Sequence, residues 1–120
     1  MERHAIMFRI KPGTEEAVKE LLAGYAPPEW TAPDGTRLVS TSVFLKDDLV
    51  VRMIEIEGNL PGLMAHLSSQ PEIRRVEREI SQYLAEERDT STPEGTRDFF
   101  INSLMRHVTT RRSEPAQAPA

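Results

Sequence analysis

Two β-branched runs, Leu38 to Leu45 (LVSTSVFL) and Leu49 to Glu57 (LVVRMIEIE), are separated only by Lys46-Asp47-Asp48. Such runs with so short a polar link predict a hairpin. In the second run Val50, Arg52, Ile54 and Ile56 share one face, and Leu49, Val51 and Met53 share the other. Both faces are largely apolar, so both sides of the sheet need cover. Helices can supply one side. A chain of 120 residues has little left for the other, and a second subunit is the natural candidate.

The remaining segments fit around that hairpin. His4 to Ile10 alternates as a strand, with His4, Ile6, Phe8 and Ile10 facing one way, and Pro12-Gly13 ends it. Thr14 is placed to cap a helix whose first turn carries Glu15 and Glu16, and whose buried side is Ala17, Val18, Leu21, Leu22 and Tyr25. Ala26 to Thr36 (APPEWTAPDGT) predicts an irregular loop in which Trp30 either rims a pocket or pins the loop to the body. Leu60 to Ser68 reads as a short helix with Leu63, Met64 and Leu67 inward. Ser69 to Leu84 (SQPEIRRVEREISQYL) reads as a longer one. There Ser69 and Glu72 fit a capping box, Pro71 sits in the first turn, and Ile73, Val76, Ile80 and Leu84 form the apolar stripe. Arg74, Arg75, Glu77, Arg78 and Glu79 are assigned mostly to the opposite face. After a charged connector, the alternation of Phe99 to Thr109 predicts a last strand, and 111–120 reads as a disordered tail. The order β-α-β-β-α-(α)-β over 1–110 is the split βαβ, ferredoxin-like α+β arrangement, an antiparallel sheet with helices on one face. Its bare face predicts a dimer in which two sheets pack into an α/β barrel.

Bulk properties exclude some chemistry. There are no cysteines, which removes thiolate catalysis, thiolate metal sites and disulfides and fits a reducing cytoplasm. A net charge of -4 argues against nucleic acid. No run approaches the roughly 18–20 apolar residues of a membrane span. The expectation is a soluble, cytoplasmic protein with neither nucleic acid nor membrane as a partner. His4, His66 and His107 show no metal-ligand spacing, so no metal site is assigned.

Three residues carry the chemical expectations. Arg52 interrupts an inner strand, where a guanidinium needs either an acid such as Glu77 or Glu55, or a polar cavity in which it holds an enolate or phenolate oxygen. His66 lies four residues before Gln70, so the two project together at a helix break, and an imidazole there can exchange protons near neutral pH. His107 shares a predicted strand face with Ser103 and Met105. Arg88-Asp89 reads as a local loop ion pair.

Seven segments together carry a resemblance. They are IKPGTEE (Ile10 to Glu16), TSVF (Thr41 to Phe44), DLVVR (Asp48 to Arg52), HLSSQPE (His66 to Glu72), YLAEERD (Tyr83 to Asp89), TPEG (Thr92 to Gly95) and FFINSLM (Phe99 to Met105). The set resembles the SchA/CurD-like family of aromatic (type II) polyketide and spore-pigment biosynthesis, from about His4 to Arg111. Gln70-Pro71, Val76, Ile80 and Gln82-Tyr83-Leu84 are more distantly similar to the tetracenomycin-type polyketide cyclases, a likeness that implies a dimeric α/β barrel. The position matching Arg52 is a histidine in those cyclases, and Tyr25-Ala26-Pro27 stands where they carry an acid–base histidine.

The function this resemblance implies is aldol cyclisation of a poly-β-ketone, a reaction that needs a dry cavity, a base and an oxyanion donor but no cofactor. His66 is the expected proton-transfer group, Arg52 the oxyanion clamp and His107 a second acid or base. Trp30, Phe44, Tyr25, Met105 and Gln70 are the expected substrate contacts. The expected partners are an aromatic polyketide intermediate, a second copy of the chain, and an acyl carrier protein or synthase complex. Two alternatives share these residues: cofactor-independent oxygenation of an anthrone-like ring, and a non-catalytic accessory role in the synthase.

Overall fold

The hairpin forms as β2 (Arg37–Lys46) and β3 (Leu49–Glu57), linked by Asp47-Asp48 with Asp47 at a φ of 52°. Aspartate tolerates that left-handed turn geometry, which matches the twist of the flanking strands. The structure, a computed structural model, describes residues 1–86 and 92–113. β1 (Glu2–Arg9) pairs antiparallel with the free edge of β3, and the two-residue β4 (Leu104–Met105) pairs with β1. The sheet order is β2-β3-β1-β4. Four helices complete the described fold: α1 (Glu15–Gly24), α2 (Leu60–Ser68), α3 (Pro71–Ser81) and α4 (Pro93–Ser103). This is the expected ferredoxin-like α+β topology, with one additional helix before the last strand.

Two apolar clusters hold the helices to one face. Ile10, Val18, Val50, Ile80 and Leu84 form the first, joined by Phe8 and Phe99. Leu38, Ile54, Ile56 and Leu63 form the second, which seats α2. Leu63 and Ile56 are fully buried, and each contributes about 1.5–3 kcal/mol relative to exposure. Val50 lies in one cluster and Ile54 in the other. Between them, on the same face of β3, comes Arg52. The core is therefore split at that arginine.

Several boundaries differ from those predicted. Phe99 to Thr109 is not a strand: α4 runs to Ser103 and only Leu104 and Met105 pair with β1. The helix start is encoded upstream. The Thr92 hydroxyl accepts the Gly95 N–H at 3.0 Å, a proline opens the first turn and Glu94 complements the dipole. Phe99 then packs on Phe8 with ring centroids 5.7 Å apart. The helix expected over Ser69–Leu84 is shorter, and no capping box forms. Ser69 Oγ donates to the His66 carbonyl, while Glu72 turns to Arg75. Leu84 leaves the helix and bridges Ile10. Thr14 does stand at the start of α1, but its hydroxyl donates to Lys11 O instead of capping.

The loop after α1 is more ordered than its composition implies. Thr31 bridges Arg37, and Leu38 N–H donates to Trp30 O at 2.8 Å. Its far end is fastened by Asp34, which accepts from Thr36 N–H at 2.9 Å and from Asn59 Nδ2 at 2.8 Å. These donors hold the Asp34 carboxyl below its ordinary range. Gly58 is required beside this knot: it has φ 119°, and a Cβ there would meet Thr36 Cα at 2.9 Å.

The opposite face of the sheet has no helix over it among the described residues. Phe44, Val51 and Met7 lie in register across it, as do Met53, Ala5 and Met105. Phe44 is 60% exposed, Met105 40% and Met7 38%.

Candidate functional site

β-pleating fixes the surroundings of Arg52. Its cross-strand neighbours on the helix side are Ile6 and Val43, and Val50 and Ile54 flank it along β3. A guanidinium in so apolar a frame must be partnered or line a polar space. Arg52 Nη2 donates to the Tyr25 hydroxyl at 3.2 Å, and its Cζ lies 5.9 Å from the Tyr25 ring centroid. It forms no ion pair within 4.0 Å among the described residues. Of the acids considered for it, Glu55 sits on the other face and pairs with Arg3 at 3.4 Å. Glu77 approaches from α3 without reaching ion-pair distance.

Glu77, expected mostly on the opposite face of the helix, lies on the inner side of α3. It follows Ile73 by four residues and precedes Ile80 by three, so it belongs to the sheet-facing stripe and not to the solvent face. Burial pushes its carboxyl above the ordinary value of 4.5, while Arg52 and Arg74 pull in the other direction. Tyr25, just past the end of α1, also lines a groove of about 370 Å³ between α1 and α3 together with Leu21, Arg75, Glu79 and Tyr83. Arg52, Tyr25 and Glu77 thus gather polar groups from three elements at the split in the core.

His66 and Gln70 come together as their spacing predicts, but not as free groups. His66 is buried, with Nε2 3.0 Å from both Glu29 O and Gln70 Nε2. Gln70 Oε1 in turn accepts the Glu29 N–H at 2.9 Å. The two side chains therefore clasp both backbone groups of Glu29 and fasten the near end of the loop. Trp30, the next residue, is 44% exposed.

Other expected site residues lie elsewhere. Phe44 and Met105 are on the bare face of the sheet, across from Arg52, because a residue one position away along a strand points to the other side. His107 lies past β4, exposed, with Nε2 2.7 Å from Thr110 Oγ1. Arg88-Asp89 falls outside the described residues. Among the described residues no three His, Asp or Glu side chains gather as metal ligands would, and no helix is long and apolar enough to cross a membrane.

An antiparallel sheet with its described helices on one side, and a polar trio set between two apolar clusters beneath them, defines a small α+β protein with a candidate site between sheet and helices. Its fold is that of tetracenomycin F2 cyclase from Streptomyces glaucescens, described as a type-II polyketide cyclase. The two align with a TM-score of 0.58 and 15% identity over 95% of this chain and 100% of that one. The SchA/CurD like domain model matches residues 1–113, and the chain belongs to that family. Polyketide synthase CurD of Streptomyces cyaneus is 44% identical over 117 residues, covering 95% of this chain and 32% of CurD. Protein SchA of Streptomyces halstedii is 38% identical over 103 residues, covering 86% of this chain and 27% of SchA. The chain thus spans about a third or less of the curated relatives it matches.

Proposed function

We propose that the chain acts in aromatic polyketide biosynthesis as a cyclase, closing a ring by aldol condensation of a poly-β-ketone intermediate. Membership of the SchA/CurD family and the fold shared with a polyketide cyclase support the setting. The observation that carries the chemistry is Arg52: a cation without an ion pair among the described residues, held on the inner face of a central strand between two apolar clusters. Dry walls fold and desolvate the poly-β-ketone, and a fixed cation stabilises the oxygen that becomes an enolate and then an alkoxide. The Tyr25 hydroxyl beside Arg52 offers a second donor. His66 and Gln70 position the loop, since His66 Nε2 and Gln70 Oε1 hold the backbone of Glu29.

In this reading a second copy of the chain covers the bare sheet face, with Phe44, Met7 and Met105 at the contact. Exposed apolar residues in register across three strands, with Arg3 and Glu55 paired beside them, suit a sheet-on-sheet interface. The test of function is product analysis of a type II polyketide pathway reconstituted with and without the chain. The expected result is a shift from spontaneous shunt products to one cyclised skeleton. An unchanged profile contradicts the proposal.

A further inference from the structure

Several charged side chains of this protein form ion pairs. Glu72 and Glu79 bind Arg75, Glu55 binds Arg3, Asp48 binds Arg9 and Glu57 binds Arg37. Glu77 makes no hydrogen bond or ion pair among the described residues, although it is half-buried on the sheet side of α3. Arg52, across from it, donates only to Tyr25 among the described residues. Glu77 on the inner side of α3 and Arg52 on the helix side of β3 belong to the two surfaces that pack together, and they are farther apart than the 4.0 Å of an ion pair. A gap of this kind fits a bridging group that is acidic at one atom and oxyanionic at the next.

We propose that Glu77 is the general base of the site, working across that gap with Arg52. This assignment rests on the cyclase reading above. The Glu77 carboxylate takes a proton from the carbon between two ketones of the substrate, and the electron pair of that C–H bond becomes an enolate whose oxygen rests on Arg52. The enolate carbon then forms a C–C bond to a distant ketone carbon, and that ketone oxygen, now an alkoxide, takes the proton back from Glu77. Loss of water yields the ring double bond, and no oxidant or other co-reactant is consumed. Burial favours the protonated carboxyl and Arg52 and Arg74 favour the carboxylate, a balance suited to taking and returning a proton. The phenol of Tyr25 faces the same space from the end of α1.

The experiment follows deuterium uptake at the central carbon of benzoylacetone, a simple β-diketone, together with its binding. It compares the unaltered chain with Glu77→Gln, Glu77→Asp and Arg52→Ala, each checked for folding by thermal melting. The unaltered chain is expected to exceed buffer, and Glu77→Gln to lose about 10²-fold of the added rate while still binding the probe. Glu77→Asp retains part of the rate, and Arg52→Ala loses both rate and binding. If Glu77→Gln matches the unaltered chain while Arg52→Ala fails, the base assignment is overturned and the Arg52 site stands. If the unaltered chain does not exceed buffer, both fall.

Discussion

Glu77 holds its proton more firmly than a glutamate in water because α3 turns it toward the sheet, and the neighbouring Arg52 and Arg74 only partly offset that burial. Over the interval above the ordinary value of 4.5 the folded chain keeps a proton that the unfolded chain has released. Stability contributed by this group is thus present below that value and declines as pH rises through the higher folded-state value. Replacing Glu77 by Gln removes the ionisation, so the variant should melt above the unaltered protein at neutral to mildly alkaline pH. The difference should vanish on acidification. Calorimetric melts across pH check this, and equal melting at every pH contradicts the burial assigned to Glu77. Arg52 is legible in the sequence because it breaks an apolar strand face at a fixed period. Glu77 is not so readily seen, since its charge suggests the outer face of the helix while its spacing from Ile73 and Ile80 places it on the inner one. His66 shows the converse: its pairing with Gln70 follows from an interval of four, but the involvement of Glu29, 37 residues away, is set by the path of the loop.

At the last element, local capping overrides periodicity. Phe99 to Thr109 alternates as a strand would, yet the cap at Thr92 and the proline after it start a helix that continues to Ser103. The signal lay seven residues before the alternating stretch, in the TPEG segment. By contrast α2 begins at Leu60 as expected, because Asn59 supplies both a cap and an anchor. Its Oδ1 accepts from Gly62 N–H at 2.7 Å, while its Nδ2 donates to Asp34 at 2.8 Å. Asn59→Ala should therefore lower the unfolding free energy by about 1–2 kcal/mol in urea titrations. No measurable change would show that the cap and the loop anchor are not coupled to global unfolding.

At the scale of the whole molecule, the ferredoxin-like order and the one-sided helical cover follow from hydrophobic pattern alone, since two apolar sheet faces and few helices leave little choice. Which strand residues share the site is a finer matter, and one position along a strand moves Phe44 and Met105 from the expected pocket to the bare face. That face sets an expectation for assembly. Phe44→Glu should shift the protein toward monomer in sedimentation velocity, because a charge within the proposed sheet-on-sheet contact lacks a partner there. An unchanged sedimentation coefficient would place any self-association elsewhere. The proposed site, however, stands or falls with Arg52. The most direct measurement is the product profile of a reconstituted type II polyketide pathway supplied with the unaltered chain, Arg52→Ala or Arg52→Lys, each at equal folded concentration. Loss of a fixed oxyanion donor should slow formation of the cyclised product by about 10²–10³-fold in Arg52→Ala, with partial recovery in Arg52→Lys. Equal product formation by Arg52→Ala and the unaltered chain would contradict the account.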